Sequence, residues 1–461
     1  MDLDRIIKKG LELGASYVDV RYQEYRHELV VAENKVLKEF SKQSSKGVGI
    51  RVIVNGGLGF SSTNDLSPES IERCLRRAID IAKVMSNYRK VGLAEVKTIK
   101  DRVMSKFKLK PEDVDDELKV KVVLEANKES FIAPEIKSAS TYLGLRYDRR
   151  VFMSSEGTEV EVTTLMSGIH HLSVAKVGEV LERVPYHKSA VAGWEFIEKE
   201  DWVGFTQWLS KLAIEAVKSK TPPPGTYKAV IDSNIIGLLL HEAFGHASEG
   251  DEVIAGASVL KGKVGTKVAS ELVTIVDDGL VEGGYFVPYD DEGVPKKRTV
   301  IVENGVLKHY LTSRAVAHEL GMEPTGNGRA QDFENLPLVR QTNYYMLPGD
   351  YSLEELIEDI DFGIYIKGVG ATGGEVDPGV GTFTFGAGPS YIVRNGRLAE
   401  MVRGVAISGE ILNVLKEIDA VGKDLMIRTS VFGGCGKEGQ MVKVGAGGPP
   451  VRVRKITIGG R

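Results

Sequence analysis

The chain has 461 residues, with 60 Lys and Arg against 64 Asp and Glu and a net charge of −4 at pH 7. That balance provides neither a basic surface for nucleic acid nor a charged face for a membrane. The length exceeds what one hydrophobic core normally fills, so two domains are expected.

No apolar run approaches the roughly 20 residues that span a bilayer. Met1-Asp2-Leu3-Asp4-Arg5 is acidic, unlike a secretory signal, and two cysteines give no disulfide framework. A cytoplasmic protein is expected. Scarce Gln beside abundant Lys, Glu and Arg leans towards a heat-loving source.

In chain order, a helix is expected over Asp2–Leu13. Strands follow near Tyr17–Tyr25, Glu28–Ala32, Val36–Lys42 and Gly47–Val54, with turns at Asn34 and Asn55-Gly56-Gly57. A helix over Pro68–Ala82 carries Ile71, Cys74, Leu75, Ala78 and Ile79 at core spacing, which makes Cys74 a packing residue. The basic stretch Lys97–Lys110 alternates with acids and apolar residues and reads as a solvated linker or edge. A helix over Asp115–Glu129, further strands through Val184 and a helix over Trp202–Lys218 complete the first part. Pro222-Pro223-Pro224 then interrupts any regular element. Residues 1–220 are expected to form an N-terminal α+β domain of mainly antiparallel sheet with flanking helices. Residues 225–461 are expected to form a strand-rich, sandwich or barrel-like domain, so the fold class is α+β.

The second part opens with a strand at Lys228–Ile231 and a helix capped by Asp232 or Ser233. Its apolar stretch, Ile235 to Leu240, reads as buried. Asn304-Gly305 and Asn395-Gly396 mark two hairpins, alike because hairpins look alike. Gly256–Val264 is one residue too long for a phosphate loop and lacks its hydroxyl, so no nucleotide site is expected. The glycine-rich Gly368–Gly388 reads as a lid or as bulges and tight turns.

At the end of the buried helix stands His241-Glu242-Ala243-Phe244-Gly245-His246. Two imidazoles around a carboxylate suit a metal and a general base. On a regular helix, residues five apart differ by about 140° and cannot share an ion. A shared metal therefore demands that the helix end or distort, and Gly245 is the expected cause. Two histidines need a third ligand. Glu249, Asp251, His309, His318 and Cys435 are candidates. Cys435 is favoured because flanking glycines leave its sulfur accessible and Lys437 favours the thiolate.

These segments, with Pro324-Thr325-Gly326-Asn327-Gly328-Arg329, Gly373-Gly374-Glu375-Val376-Asp377 and Gly433-Gly434-Cys435-Gly436-Lys437-Glu438-Gly439-Gln440, resemble the TldD/PmbA family. Its members are also called modulators of DNA gyrase, a label for which the charge balance gives no support as DNA binding. The resemblance runs over essentially the whole chain and is strongest from about residue 225. It implies an active, TldD-type zinc metallopeptidase subunit acting on short or unfolded peptides. His241, His246 and Cys435 would be the Zn²⁺ ligands and Glu242 the general base. It further implies pairing with a TldE-like partner subunit, or a homodimer. Two rival expectations are a non-catalytic partner or regulatory subunit, and a cysteine hydrolase using Cys435.

Overall fold

The computed structural model describes residues 2–460. Helix α1 (Leu3–Glu12), capped by Asp2, precedes two long strands, β1 (Tyr17–Glu33) and β2 (Val36–Val54). Four separate strands are expected here, but each pair is continuous. The polar interruptions near Arg26 and Ser44 do not break pairing, because β1 is hydrogen-bonded on both sides, to β2 and to β5 (Ile136–Ser154). The turns are where the sequence puts them: Asn34, Lys35, Asn55 and Gly56 all have positive φ.

Strands β3 (Gly57–Thr63), β4 (Lys100–Met104), β6 (Glu159–Val177) and β7 (Val180–Ala190) complete a seven-stranded sheet in the order β3-β2-β1-β5-β6-β4, with β7 also on β6. The basic Lys97–Lys110 stretch thus contributes β4, a parallel edge strand. Helix α2 (Pro68–Met85) buries Cys74 with Ile71, Leu75, Ala78 and Ile79 against β3 and β2. Helix α3 (Asp116–Glu129), the short α4 (Glu195–Lys199) and α5 (Trp202–Lys218) cover another part of the sheet through Trp194, Trp202, Phe205 and Leu209.

All strands of the remaining sheets lie at or beyond β8 (Gly225–Ile231). A nine-stranded mixed sheet has β8 near its centre, between strands Val451–Gly460 and Phe362–Ile366. A six-stranded mixed sheet contains Asn343–Met346 beside Gly445–Gly448. Helix α6 (Ser233–Leu239) is buried between these sheets in the largest apolar cluster, with Ile235, Ile236 and Leu239 fully enclosed. A Cβ at Gly237 would lie 2.9 Å from the Gly447 backbone, so glycine on both elements permits this close packing. The Gly368–Gly388 stretch forms a hairpin, Gly373–Asp377 with Thr382–Gly386, at one edge of the nine-stranded sheet. Among the described residues, no helix is long and apolar enough to cross a membrane.

Charged contacts lock the first sheet to the later segments. Arg51 bonds Asp19 and reaches Glu292 at 2.7 Å; Arg150 meets Asp291 at 2.9 Å; Arg314 meets Glu156 at 2.7 Å. One cavity is lined from both sides of this contact, by His170 and His187 of the first sheet and by residues beyond β8.

Candidate metal centre

Asp232 caps α6, accepting from the backbone N–H groups of Asn234 and Ile235 at 3.1 and 3.0 Å. The helix then widens into a π-helical turn, Leu240–Gly245, in which the His246 N–H donates to the His241 carbonyl. An i→i+5 hydrogen bond closes a wider turn than an α-helix, so residues five apart return to the same face. The two imidazoles consequently meet, with ring centroids 5.3 Å apart. The distortion demanded by the spacing is present, but its form differs from the expected glycine stop. Gly245 keeps right-handed helical angles, φ −63° and ψ −49°. Its contribution is space: a Cβ there would collide with the Gln341 side chain. Gln341 Nε2 uses that space to donate to the His241 carbonyl at 3.0 Å.

Cys435 opens a short hairpin, Cys435–Lys437 with Gln440–Val442. Its sulfur is buried rather than accessible, with the residue only 3% exposed, and lies 3.2 Å from His246 Nε2. One ligand atom from each of His241, His246 and Cys435 lies within 4.8 Å of the others. The hairpin is held in place by buried arginines. Arg340 donates to the carbonyls of Cys435 and Gln440. Arg329, at the end of the Pro324–Arg329 segment, donates to the carbonyls of Gln341 and Lys443 at 2.6 Å each. Asn327 of that segment bonds the Arg340 carbonyl at 2.8 Å. This segment therefore acts as a brace between the elements that carry His241, His246 and Cys435.

The other candidate ligands lie elsewhere or do other work. His309 bonds the Tyr310 carbonyl and His318 belongs to the helix Arg314–Leu320; neither joins the cluster. Glu249 stands behind it: its Oε2 lies 3.1 Å from His246 Nδ1. A carboxylate on the far nitrogen fixes the tautomer and aims Nε2 at the cluster. Lys437 bonds Glu249 at 2.8 Å, Asp251 at 2.7 Å and Glu252 at 3.3 Å. The expectation that Lys437 favours the thiolate is thus corrected, because its ammonium is committed to carboxylates. The imidazoles do that work. Burial alone would push the Cys435 thiol up, but His241 and His246 bring it down to about 5. Burial would likewise push the imidazoles down, yet Cys435 raises His241, and Glu249 with Cys435 raises His246. For Glu249, burial opposes ionisation, but His246 and Lys437 hold it at about 2.

His241, Glu242 and Cys435 face a cavity of about 430 Å³ that also takes in His170 and His187 from the first sheet, Asn234 from α6, and Arg428 and Phe432. Glu242 is therefore the carboxylate beside the cluster on its open side, whereas Glu249 is the one on its closed side. The sequence placed Glu249 among possible ligands; its three-residue offset from His246 was the available clue to contact on one helical face. Gln341, Arg340 and Arg428 carried no local signal, because their partners lie about a hundred or more residues away in the chain.

The residues 224–460 match the PmbA/TldA metallopeptidase C-terminal domain, and residues 18–82 match PmbA/TldA metallopeptidase domain 1. A metalloprotease of Methanocaldococcus jannaschii is 38% identical over 97% of this chain and 97% of its own. A zinc metalloprotease TldD homolog of Saccharolobus solfataricus is 34% identical over 99% of both. The crystal structure of TldE from Thermococcus kodakarensis shares the fold, with a TM-score of 0.79, 20% identity and 99% of each chain covered. The chain belongs to the PmbA/TldA metallopeptidase family. The metal that the family name implies fits the residues present: His241 Nδ1 is buried without a hydrogen-bond partner, and two imidazoles with a thiolate form a donor set suited to zinc.

Proposed function

We propose that this chain is a zinc-dependent peptidase in which His241, His246 and Cys435 hold Zn²⁺ and Glu242 is the general base. The observation that carries the reading is the π-helical turn, which brings together two histidines that an α-helix would separate. Glu242 on the cavity side adds the base that a purely structural site does not need, which argues against a non-catalytic role.

Bound zinc would supply a Lewis acid that polarises a peptide carbonyl and brings the pKa of water down to about 7. Glu242 takes the proton from water and delivers it to the leaving amine. Glu249 holds His246 in one tautomer throughout, and the buried arginines keep the Cys435 hairpin from moving away. A thiolate ligand donates more charge than a third imidazole, which favours slow turnover. Short or unfolded peptides are the substrate class, acting in the cytoplasm. The arrangement 1–220 and 225–461 is the domain division, and a TldE-like subunit or a second copy is the partner that restricts access.

The test is metal content by mass spectrometry with peptide cleavage measured on the same samples. Wild type should carry about one zinc per chain, lost in Cys435→Ser. Glu242→Gln should keep zinc and lose about 10²–10⁴-fold in turnover. Full cleavage by Glu242→Gln would exclude the assigned base. A second reading has one specific observation in its favour: the 3.2 Å Cys435–His246 contact also suits a cysteine nucleophile with an imidazole base. Cleavage that survives chelation and ends on thiol alkylation would select it.

A further inference from the structure

Among the described residues, Arg428, like Arg329, Arg340 and Lys443, has no acid of its own, but those three spend their donors on backbone carbonyls away from the cavity lining. No carboxylate oxygen of the described residues lies within salt-bridge distance of the Arg428 guanidinium. It lines the same cavity as His241, Glu242 and Cys435. The groups bonded to it are neutral; the carboxylate whose charge reaches it, Asp232, lies beyond salt-bridge distance and accepts from Asn234 Nδ2 instead. Nη1 donates to Asn234 Oδ1, Nη2 donates to the His187 carbonyl at 2.8 Å, and the guanidinium lies 4.1 Å above the Tyr186 ring centre. Tyr186 also donates to Asn234 Oδ1, at 3.2 Å, so that the amide cannot turn away. These contacts use two of the five N–H groups that a guanidinium offers. His187, beside it, is held neutral: burial and the Arg428 charge bring it down to about 3. It therefore supplies neither a compensating nor a competing charge.

A fixed, largely desolvated guanidinium with unused donors in a substrate cavity is a carboxylate receptor lacking its carboxylate. We infer that Arg428 anchors a carboxylate of the peptide substrate. This deepens the peptidase reading and relies on it for where the peptide is cut. Arg428 is tied to Asn234 in the first turn of α6, and His241 follows seven residues later. At about 1.5 Å per residue, the anchor and the metal centre lie about 10 Å apart along the helix. An extended peptide advances about 3.3 Å per residue. A carboxylate on Arg428 therefore places the scissile bond about two to four residues away, which for a C-terminal carboxylate is upstream. The carboxylate has two possible sources, the peptide C-terminus or an Asp or Glu side chain at that distance.

Three peptides of one sequence separate them: a free acid without acidic residues, its C-terminal amide, and an amide with Glu near its end. Binding is measured first on zinc-loaded Glu242→Gln protein, with its partner subunit where one co-purifies, so that the result does not depend on turnover. The expected result is about ten- to hundred-fold tighter binding of one carboxylate-bearing peptide over the plain amide, as for a charge-assisted bond. Preference for the free acid identifies the terminus, and preference for the Glu peptide identifies a side chain. In Arg428→Gln the preference should vanish while zinc content is unchanged. Cleavage by wild type should then release C-terminal fragments of about two to four residues from the preferred free acid. Equal binding of all three peptides, or no binding of any, overturns the anchor. Carboxylate preference without cleavage would instead count against the peptidase reading and leave the anchor standing.

Discussion

Lys437 and Arg428 flank the His241–His246–Cys435 cluster, one behind His246 through Glu249 and the other on the cavity wall, and are held in opposite ways. Lys437 is 6% exposed at its side chain and bonds Glu249, Asp251 and Glu252. Arg428 bonds an amide and a backbone carbonyl and rests on an aromatic ring. The first cation is neutralised within the protein and serves to hold acids that in turn hold His246. The second is held by an amide, a carbonyl and a ring, and lines the cavity with no carboxylate of the described residues within salt-bridge distance. A cation whose donors are used up inside the protein, on carboxylates as in Lys437 or on carbonyls as in Arg340, belongs to the scaffold; one that keeps unused donors on a cavity wall is prepared for a ligand.

Removing Lys437 should break that contrast most severely. Lys437→Met strands Glu249, Asp251 and Glu252 without their counter-ion, and loss of one partner from a buried ionic network costs about 3–5 kcal/mol. Urea unfolding of the metal-free protein reads this directly. A loss below about 1 kcal/mol would mean that the carboxylates find water or protons instead. A smaller but more specific effect is expected of Glu249→Gln. An outer carboxylate on a metal-bound histidine is worth about 10–100-fold in metal affinity, measured by competition with a chelator. The same variant alters the acid limb of stability. Glu249 is ionised down to about 2 in the folded protein, below the ordinary glutamate range. Its contribution is complete above the unfolded value and disappears as pH falls towards 2. Wild type should lose stability over that interval, and Glu249→Gln should lose less.

What could be read beforehand depended on how far each cause lies along the chain. The helix Trp202–Lys218 is set by its own capping Asp201 and apolar spacing, and its bounds are those expected. The turns at Asn34 and Asn55-Gly56 follow from residues that tolerate positive φ. The single long strands β1 and β2 were not readable, because pairing with neighbours on the sheet overrides the polar stretches inside them. At the site, the five-residue spacing stated the requirement for a distorted helix. The π form itself involves Gln341, packed against Gly245 from almost a hundred residues away. The sequence favours Cys435 as the third ligand partly because Lys437 would promote its thiolate, but the groups that lower its pKa are the two imidazoles, brought there by the fold.

The smallest effect should come from Arg428→Met, and its smallness would sharpen the comparison. The substitution strands no carboxylate. Asn234 Oδ1 keeps the Tyr186 hydroxyl at 3.2 Å, so the amide oxygen is not left without a donor. The His187 carbonyl loses its 2.8 Å bond, at a cost of about 1 kcal/mol, and the contact with Tyr186 loses about 0.5–1 kcal/mol. Against this, burial disfavours the charged form of Arg428, pulling its pKa below the ordinary value, and that cost is removed with the guanidinium. The methionine side chain can still pack on the Tyr186 ring. These terms oppose one another, so urea unfolding of the metal-free variant should fall within about 1 kcal/mol of wild type. A loss as large as that of Lys437→Met would show that Arg428, too, is part of the scaffold. A near-neutral result beside a lost carboxylate preference would separate the two cations by function: one folds the centre, and the other meets the substrate.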